Sequence, residues 1–235
     1  MPLPKIATPT YELVIPSTKK KVKYRPFLVK EQKILMIAQE SGEESQIADA
    51  IGQLVTNCTF GSIDVNTNPM FDIEYVFLQL RAKSAGEKVK LNVTCPDDGE
   101  TKVETEIDLS EIAVQMSLEH SQEIELTEDI KLGLRYPVLK DMKNLDMNLS
   151  DFERSIIMFH ECVEYVMDGD ETISRIDMTT DEIADFVDSF NTEQLENVLR
   201  FFETMPKLRH VIDVVNPNTK VKSEVLLEGL PSFLG

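Results

Sequence analysis

Asp72-Ile-Glu-Tyr-Val-Phe-Leu-Gln-Leu-Arg-Ala-Lys-Ser-Ala-Gly-Glu-Lys-Val-Lys-Leu-Asn-Val-Thr-Cys-Pro-Asp-Asp-Gly-Glu-Thr-Lys-Val-Glu-Thr-Glu-Ile-Asp-Leu-Ser-Glu-Ile112 changes its apolar period partway along. Ile73, Val76, Phe77 and Leu80 recur at helical spacing and predict one buried helix face. After Gly86 the period falls to two, with Val89, Leu91, Val93 and Cys95 alternating with polar residues. Pro96-Asp-Asp-Gly99 is turn chemistry, because proline fixes φ, aspartate bonds its own backbone and glycine accepts positive φ. Val103, Thr105 and Ile107 then predict a return strand. The stretch reads as a helix followed by an antiparallel hairpin.

The same order returns near the C-terminus. Leu195, Val198, Leu199 and Phe202 form a helical stripe stopped at Thr204-Met-Pro206. Val211–Val215, the turn residues Asn216-Pro-Asn218, and the run from Thr219 to Leu227 form a second hairpin pattern. Thr101-Lys-Val103 and Thr219-Lys-Val221 share a register after the turn, so residues 72–112 and 193–230 are expected to be an internal repeat.

Outward from these two stretches, the chain reads as α+β. Residues 1–9 carry Pro2, Pro4 and Pro9 and suggest an extended arm. Tyr11–Pro16 and Lys21–Arg25 predict a hairpin with a basic turn, followed by helices over Val29–Gln39 and Gln46–Asn57. Ile124/Leu126 and Ile130/Leu132/Leu134 predict a mid-chain strand pair joined at Thr127–Asp129. Leu149 or Ser150 is expected to cap a helix whose apolar face runs through Phe152, Ile156, Ile157, Phe159, Cys162, Val163 and Val166. Asp168–Glu171 reads as a turn and Thr172–Ile176 as a short strand. Thr179 with Glu182 is a capping-box pattern, and Asn191 or Thr192 opens the last helix. The expected organisation is two regions. Residues 1–140 hold the N-terminal hairpin, helices and first helix–hairpin, and 141–235 the helical region with the second.

Composition bounds the function. No apolar run is long enough to span a bilayer, and the N-terminus lacks an apolar signal-peptide region. Cys58, Cys95 and Cys162 are an odd, widely spaced set, which points to reduced thiols and a cytoplasmic life. A net charge of −18 argues against nucleic-acid binding, which depends on neutralising phosphates. The charge is also unevenly placed. Residues 97–129 hold 12 acids against Lys102, and 161–196 hold 12 acids against Arg175. The first 35 residues reverse the sign, with eight bases against Glu12 and Glu31. Solvated faces account for most such runs, but the asymmetry can also steer a basic partner or order contacts between copies.

The residues supply no catalytic constellation. There is no glycine-rich phosphate loop, no GxSxG and no HExxH, and His120, His160 and His210 lie far apart. His160 and Cys162 are two apart on a helix and so point to different faces; Cys162 reads as a small buried hydrophobe. Asp64-Val-Asn66 and Asp168-Gly-Asp170 each lack the later residues of a calcium loop. Cys95-Pro-Asp-Asp-Gly99 has the outline of a zinc knuckle without its second cysteine, and a structural zinc needs four ligands. No catalytic, cofactor or metal residue is assigned. The contact candidates are Lys19, Lys20, Lys21 and Lys23 in the basic turn, with Phe201 and Phe202, adjacent aromatics not expected to share one core.

Four segments carry a resemblance: Lys23-Tyr-Arg-Pro-Phe-Leu-Val-Lys-Glu-Gln-Lys-Ile-Leu35, Phe71-Asp-Ile-Glu-Tyr through Leu80-Arg-Ala-Lys-Ser, Phe202-Glu-Thr-Met-Pro-Lys-Leu, and Leu227-Glu-Gly-Leu-Pro-Ser-Phe233. Together they resemble the baseplate hub proteins of T4-like contractile-tailed bacteriophages, particularly those of marine cyanophages. In some relatives the hairpin turns carry cysteine pairs; here only Cys95 stands, so no zinc site carries over. The resemblance implies a site-free protein that helps build the tail hub, in the host cytoplasm during assembly or in the virion baseplate. The expected partners are hub or tape-measure proteins, or further copies of the chain, with no membrane or nucleic acid. A chaperone-like assembly factor is the leading expectation. A permanent virion subunit is the alternative, and a small metal-dependent hydrolase the reading from a different class.

Overall fold

Helix and strand alternate along the chain much as the apolar periods dictate. The computed structural model describes residues 6–143, 145 and 148–233. Of the expected N-terminal arm, residues 1–5 lie outside the described residues, and 6–9 carry no regular secondary structure. In chain order come β1 (Tyr11–Val14), β2 (Lys21–Tyr24), α1 (Val29–Ser41), α2 (Glu44–Cys58), α3 (Met70–Ala85), β3 (Lys88–Thr94), β4 (Lys102–Asp108) and β5 (Ala113–Gln115). There follow β6 (Glu123–Glu125), β7 (Ile130–Leu134), α4 (Leu139–Lys143), α5 (Asp151–Cys162), β8 (Val163–Asp168) and β9 (Glu171–Ser174). The chain closes with α6 (Thr180–Asp188), α7 (Thr192–Thr204), β10 (Lys207–Val215) and β11 (Lys222–Glu228). The fold is mixed α and β, opened by a hairpin and built on small antiparallel sheets. Among the described residues no helix is long and apolar enough to cross a membrane.

Both repeat segments form a helix, an antiparallel hairpin and a closing 3-10 turn. In the first these are α3, β3–β4 and Leu109–Glu111; in the second, α7, β10–β11 and Leu230–Phe233. Period-two burial is visible directly in β3, where Val89, Leu91 and Val93 are buried and the residues between them exposed. The helix starts follow capping chemistry: Ser150, Thr179 and Asn191 each accept from the backbone N–H three residues on, and Glu153, Glu182 and Gln194 reach back.

One helix ends earlier than the apolar stripe predicts. Val163 and Val166, expected on the face of a continuing helix, lie in β8, which pairs with β7 and β9. The stripe from Phe152 to Val166 fits a helical period, but Val163, Tyr165 and Val166 favour extended backbone, and a strand on each side completes their hydrogen bonds. Phe152, at the other end of the stripe, is exposed.

Packing groups the chain into two units, 1–115 with 207–235, and 116–206. This grouping differs from a division at 140/141, because β10 pairs with β5 as well as β11 and so returns the last strands to the N-terminal unit. The first unit builds its core from Leu54, Val55, Ile73, Val76, Phe77 and Leu80 of α2 and α3, closed by Leu208, Ile212, Leu230 and Phe233. The second has its own core, with Leu132, Leu134, Phe159, Ile183, Val198 and Phe201.

A second likeness links the two units. In each, a hairpin leads through an arginine and a proline into a helix, and the arginine is held by a buried carboxylate six residues on. Arg25 Nη2 bonds Glu31 at 2.9 Å; Arg135 Nη1 and Nη2 bond Asp141 at 2.7 and 3.0 Å. Glu31 and Asp141 accept from the backbone N–H three residues before them, Leu28 and Val138, each at 2.8 Å. Each arginine also donates its backbone N–H to the carbonyl of a buried cysteine that ends a helix, Cys58 at 3.0 Å and Cys162 at 2.8 Å. Burial opposes ionisation of Glu31, but hydrogen bonds from Arg25, Leu28 and Lys30 outweigh it and hold its carboxyl below the usual range. Burial pushes the thiols up, to about 11 for Cys58 and about 12 for Cys162.

Candidate interaction surfaces

The basic turn is closed by main-chain hydrogen bonds and tied to α3. Ile15-Pro-Ser-Thr-Lys19-Lys20 closes with Ile15 N–H donating to Lys20 O and Lys19 N–H to Ile15 O, both at 2.9 Å. Lys19 adopts a left-handed φ of 57° to make that closure. Asp72 at the start of α3 anchors the turn, accepting from the backbone N–H of Ser17 at 3.0 Å and from its hydroxyl. Burial lifts the Asp72 carboxyl above its ordinary pKa, with the Ser17 hydrogen bonds acting against that rise. Lys19, Lys20, Lys21 and Lys23 are all exposed, and Lys20, Lys21 and Lys23 form no ion pair with a described residue. Lys19 and Lys20 thus lie on the turn of the hairpin, and Lys21 and Lys23 along β2, with Lys23 opposite Glu12.

This turn is used again. Asn216-Pro-Asn-Thr-Lys220 closes with Asn216 N–H to Val221 O at 3.0 Å and Lys220 N–H to Asn216 O at 2.9 Å, with Lys220 at φ 65°. The Cys95 turn is one residue longer, with Gly99 in the left-handed position. Pro16-Ser-Thr-Lys19 and Pro217-Asn-Thr-Lys220 are legible as cognates in the sequence once the shared closure is known. The second and third turns are tied to each other. Asn216 Nδ2 donates to Asp97 at 3.0 Å and Asp98 at 2.8 Å, and Thr219 Oγ1 donates to Asp97. Donors from Thr219 and Asn216 pull the Asp97 carboxyl below its ordinary range. At the position of the incomplete zinc knuckle, Cys95 is buried, and burial and the neighbouring Asp97 and Asp98 charges push its thiol up. Among the described residues no group of three or more His, Cys, Asp or Glu is placed to hold a metal ion.

The aromatic pair divides its roles. Phe201 is a core residue, stacked near Tyr136 and His120, while Phe202 is half-buried and meets Phe201 edge-on at 5.0 Å. Both rings touch the second core, because the covered face of α7 is wide enough to reach neighbouring positions. Only Phe202 keeps accessible surface to offer a partner. Sequence reading missed two apolar surfaces. On the outer face of β10–β11, Val211 lies directly opposite Leu226, and both are about half exposed, as is Val215. On α1, Val29, Met36 and Ile37 are exposed. Outward-facing apolar residues were the available signal, but which face of each element is covered depends on its tertiary neighbours.

A family model described as "T4 bacteriophage base plate protein" matches residues 8–235. No curated protein and no solved structure gives a match.

Proposed function

Because the chain belongs to the T4 bacteriophage base plate protein family, whose members are phage baseplate proteins, we propose that it acts in assembly of the baseplate hub of a contractile tail. In this reading it works through protein contacts, as a chaperone-like factor for the hub or tape-measure protein, and contributes no chemistry of its own. The observation that supports a holding role is the surface. Exposed apolar side chains on α1 and on β10–β11 belong to a chain with a net charge of −18, which keeps such surfaces soluble until a client covers them.

The family description itself favours a second reading, a permanent subunit of the virion baseplate. Quantitative mass spectrometry of purified virions separates the two. An assembly factor is absent from the finished particle while co-purifying with tail proteins from infected cells. A fixed stoichiometry in the particle overturns the chaperone reading and establishes the structural one.

A further inference from the structure

A cleft of about 300 Å³ opens in the second unit between the four-stranded sheet and α6. Its apolar floor includes Val166 of β8, Ile173 of β9 and Phe186 of α6. Asp168, Asp177 and Glu182 also line it, and among the described residues no lysine, arginine or histidine does. Glu182 commits one oxygen to the cap at Thr179, whereas Asp168 and Asp177 make no ion pair with a described residue. β9 is the edge of its sheet, all four of its residues are exposed, and among the described residues its outer side is unpaired. Val166 and Ile173 are cross-strand partners, so they project from one face, the face that α6 covers.

We propose that this cleft docks an extended segment of another protein in which an apolar side chain is flanked by lysine or arginine. The segment adds to β9 as a fifth strand. Its main chain takes up the unpaired edge, alternate side chains enter the cleft, and its cations meet the carboxylates. Charge selects the occupant. Between Glu161 and Glu196 the sequence has Arg175 as its one base, and Arg175 is turned to the Met178 carbonyl, so a neutral or acidic segment gains nothing at the rim. The inference rests on the chain acting by protein contact. Virion analysis tests that reading, while the cleft is tested on the purified full chain, so either can fail alone.

The experiment is a titration with labelled peptides of roughly 12 residues at about 0.15 M salt, followed by fluorescence anisotropy. One peptide alternates lysine and leucine, a second lysine and serine, and a third glutamate and leucine. The lysine–leucine peptide is expected to bind saturably, the lysine–serine peptide about tenfold more weakly, and the glutamate–leucine peptide not at all. Ile173→Arg, at an exposed position, is expected to weaken the lysine–leucine peptide about tenfold with the thermal melt unchanged, and Asp168→Asn with Asp177→Asn to weaken it likewise. Glu100→Gln with Glu104→Gln, in the other unit, leaves binding intact. Equal binding of the two lysine peptides, or binding indifferent to Ile173→Arg in a folded variant, overturns the proposal. A peptide of the chain's own residues 1–10 that binds more tightly than lysine–leucine, with the same sensitivity to Ile173→Arg, makes the occupant a second copy and overturns the assignment to another protein.

Discussion

Glu31 and Asp141 are each about 1% exposed, yet each carries an arginine and a backbone N–H. Removing Glu31 takes the acceptor from the Leu28 amide and leaves the largely buried Arg25 guanidinium with only the Pro26 carbonyl and the Cys58 sulfur, a loss of about 3–5 kcal/mol by the measure of broken buried ion pairs. Glu31→Ala is therefore expected to lower unfolding free energy by roughly that amount in urea denaturation. Glu74 behaves in the opposite sense. Burial, with the Glu228 charge adding to it, lifts its carboxyl to about 7, although the Leu230 N–H and Lys207 act the other way. An acid raised in the folded state is protonated there at a pH where the unfolded chain has already released its proton. Stability is then lost as pH climbs from the ordinary 4.5 to about 7, and the penalty is full above that. Glu74→Gln, which still accepts from Leu230, is expected to stabilise the chain at pH 8 by roughly 1–3 kcal/mol. The gain should shrink as pH falls through 7 and vanish near 4.5; unfolding curves across that range check it.

At the scale of elements, the β7–β8 ladder depends on a missing side chain. Gly133 stands opposite Tyr165 beside a register shift, and a Cβ there would lie 2.3 Å from two carbons of the tyrosine ring. Gly133→Ala must push that ring aside and away from Glu123, to which its hydroxyl donates at 3.2 Å. The expected cost is about 1–3 kcal/mol, and adding Tyr165→Ala should relieve it, so the two changes combine non-additively in thermal unfolding. Elements whose signal is local were legible in the residues. The helix–hairpin order of 72–112 and 193–230 came from the change of period, and the caps at Ser150, Thr179 and Asn191 from their partners three residues on. The strand β8 was not, since the three-residue spacing of Val163 and Val166 continues the helical period and only β7 and β9 beside them decide otherwise.

For the molecule as a whole, charge placement is the feature with consequences outside the chain. Lys19 and Lys20 sit on a turn anchored by Asp72, and Lys21 and Lys23 on the exposed side of β2, so reversing all four to glutamate changes the surface without removing a core contact. Such a variant is expected to stay folded but to lose, at low salt, the tail proteins that co-purify with the parent chain from infected cells. Unchanged co-purification would remove the basic hairpin from the contact surface. The repeat matters at this scale too. Its first copy lies within one packing unit, while its second is divided, α7 in one unit and β10–β11 in the other. The arginine latches follow the packing units instead, one in each.

The sequence by itself determined where most helices and hairpins lie, the acidic and basic stretches, and the likeness to baseplate proteins, because each is carried by neighbours along the chain. Tertiary structure decided that β5 pairs with β10, that Arg25 and Arg135 sit in matching latches on Cys58 and Cys162, that Phe201 is core, and that Val166, Ile173 and Phe186 share a cleft. Those facts join residues far apart in sequence. Their pairing is settled by which buried groups can satisfy one another, and no local period encodes that choice.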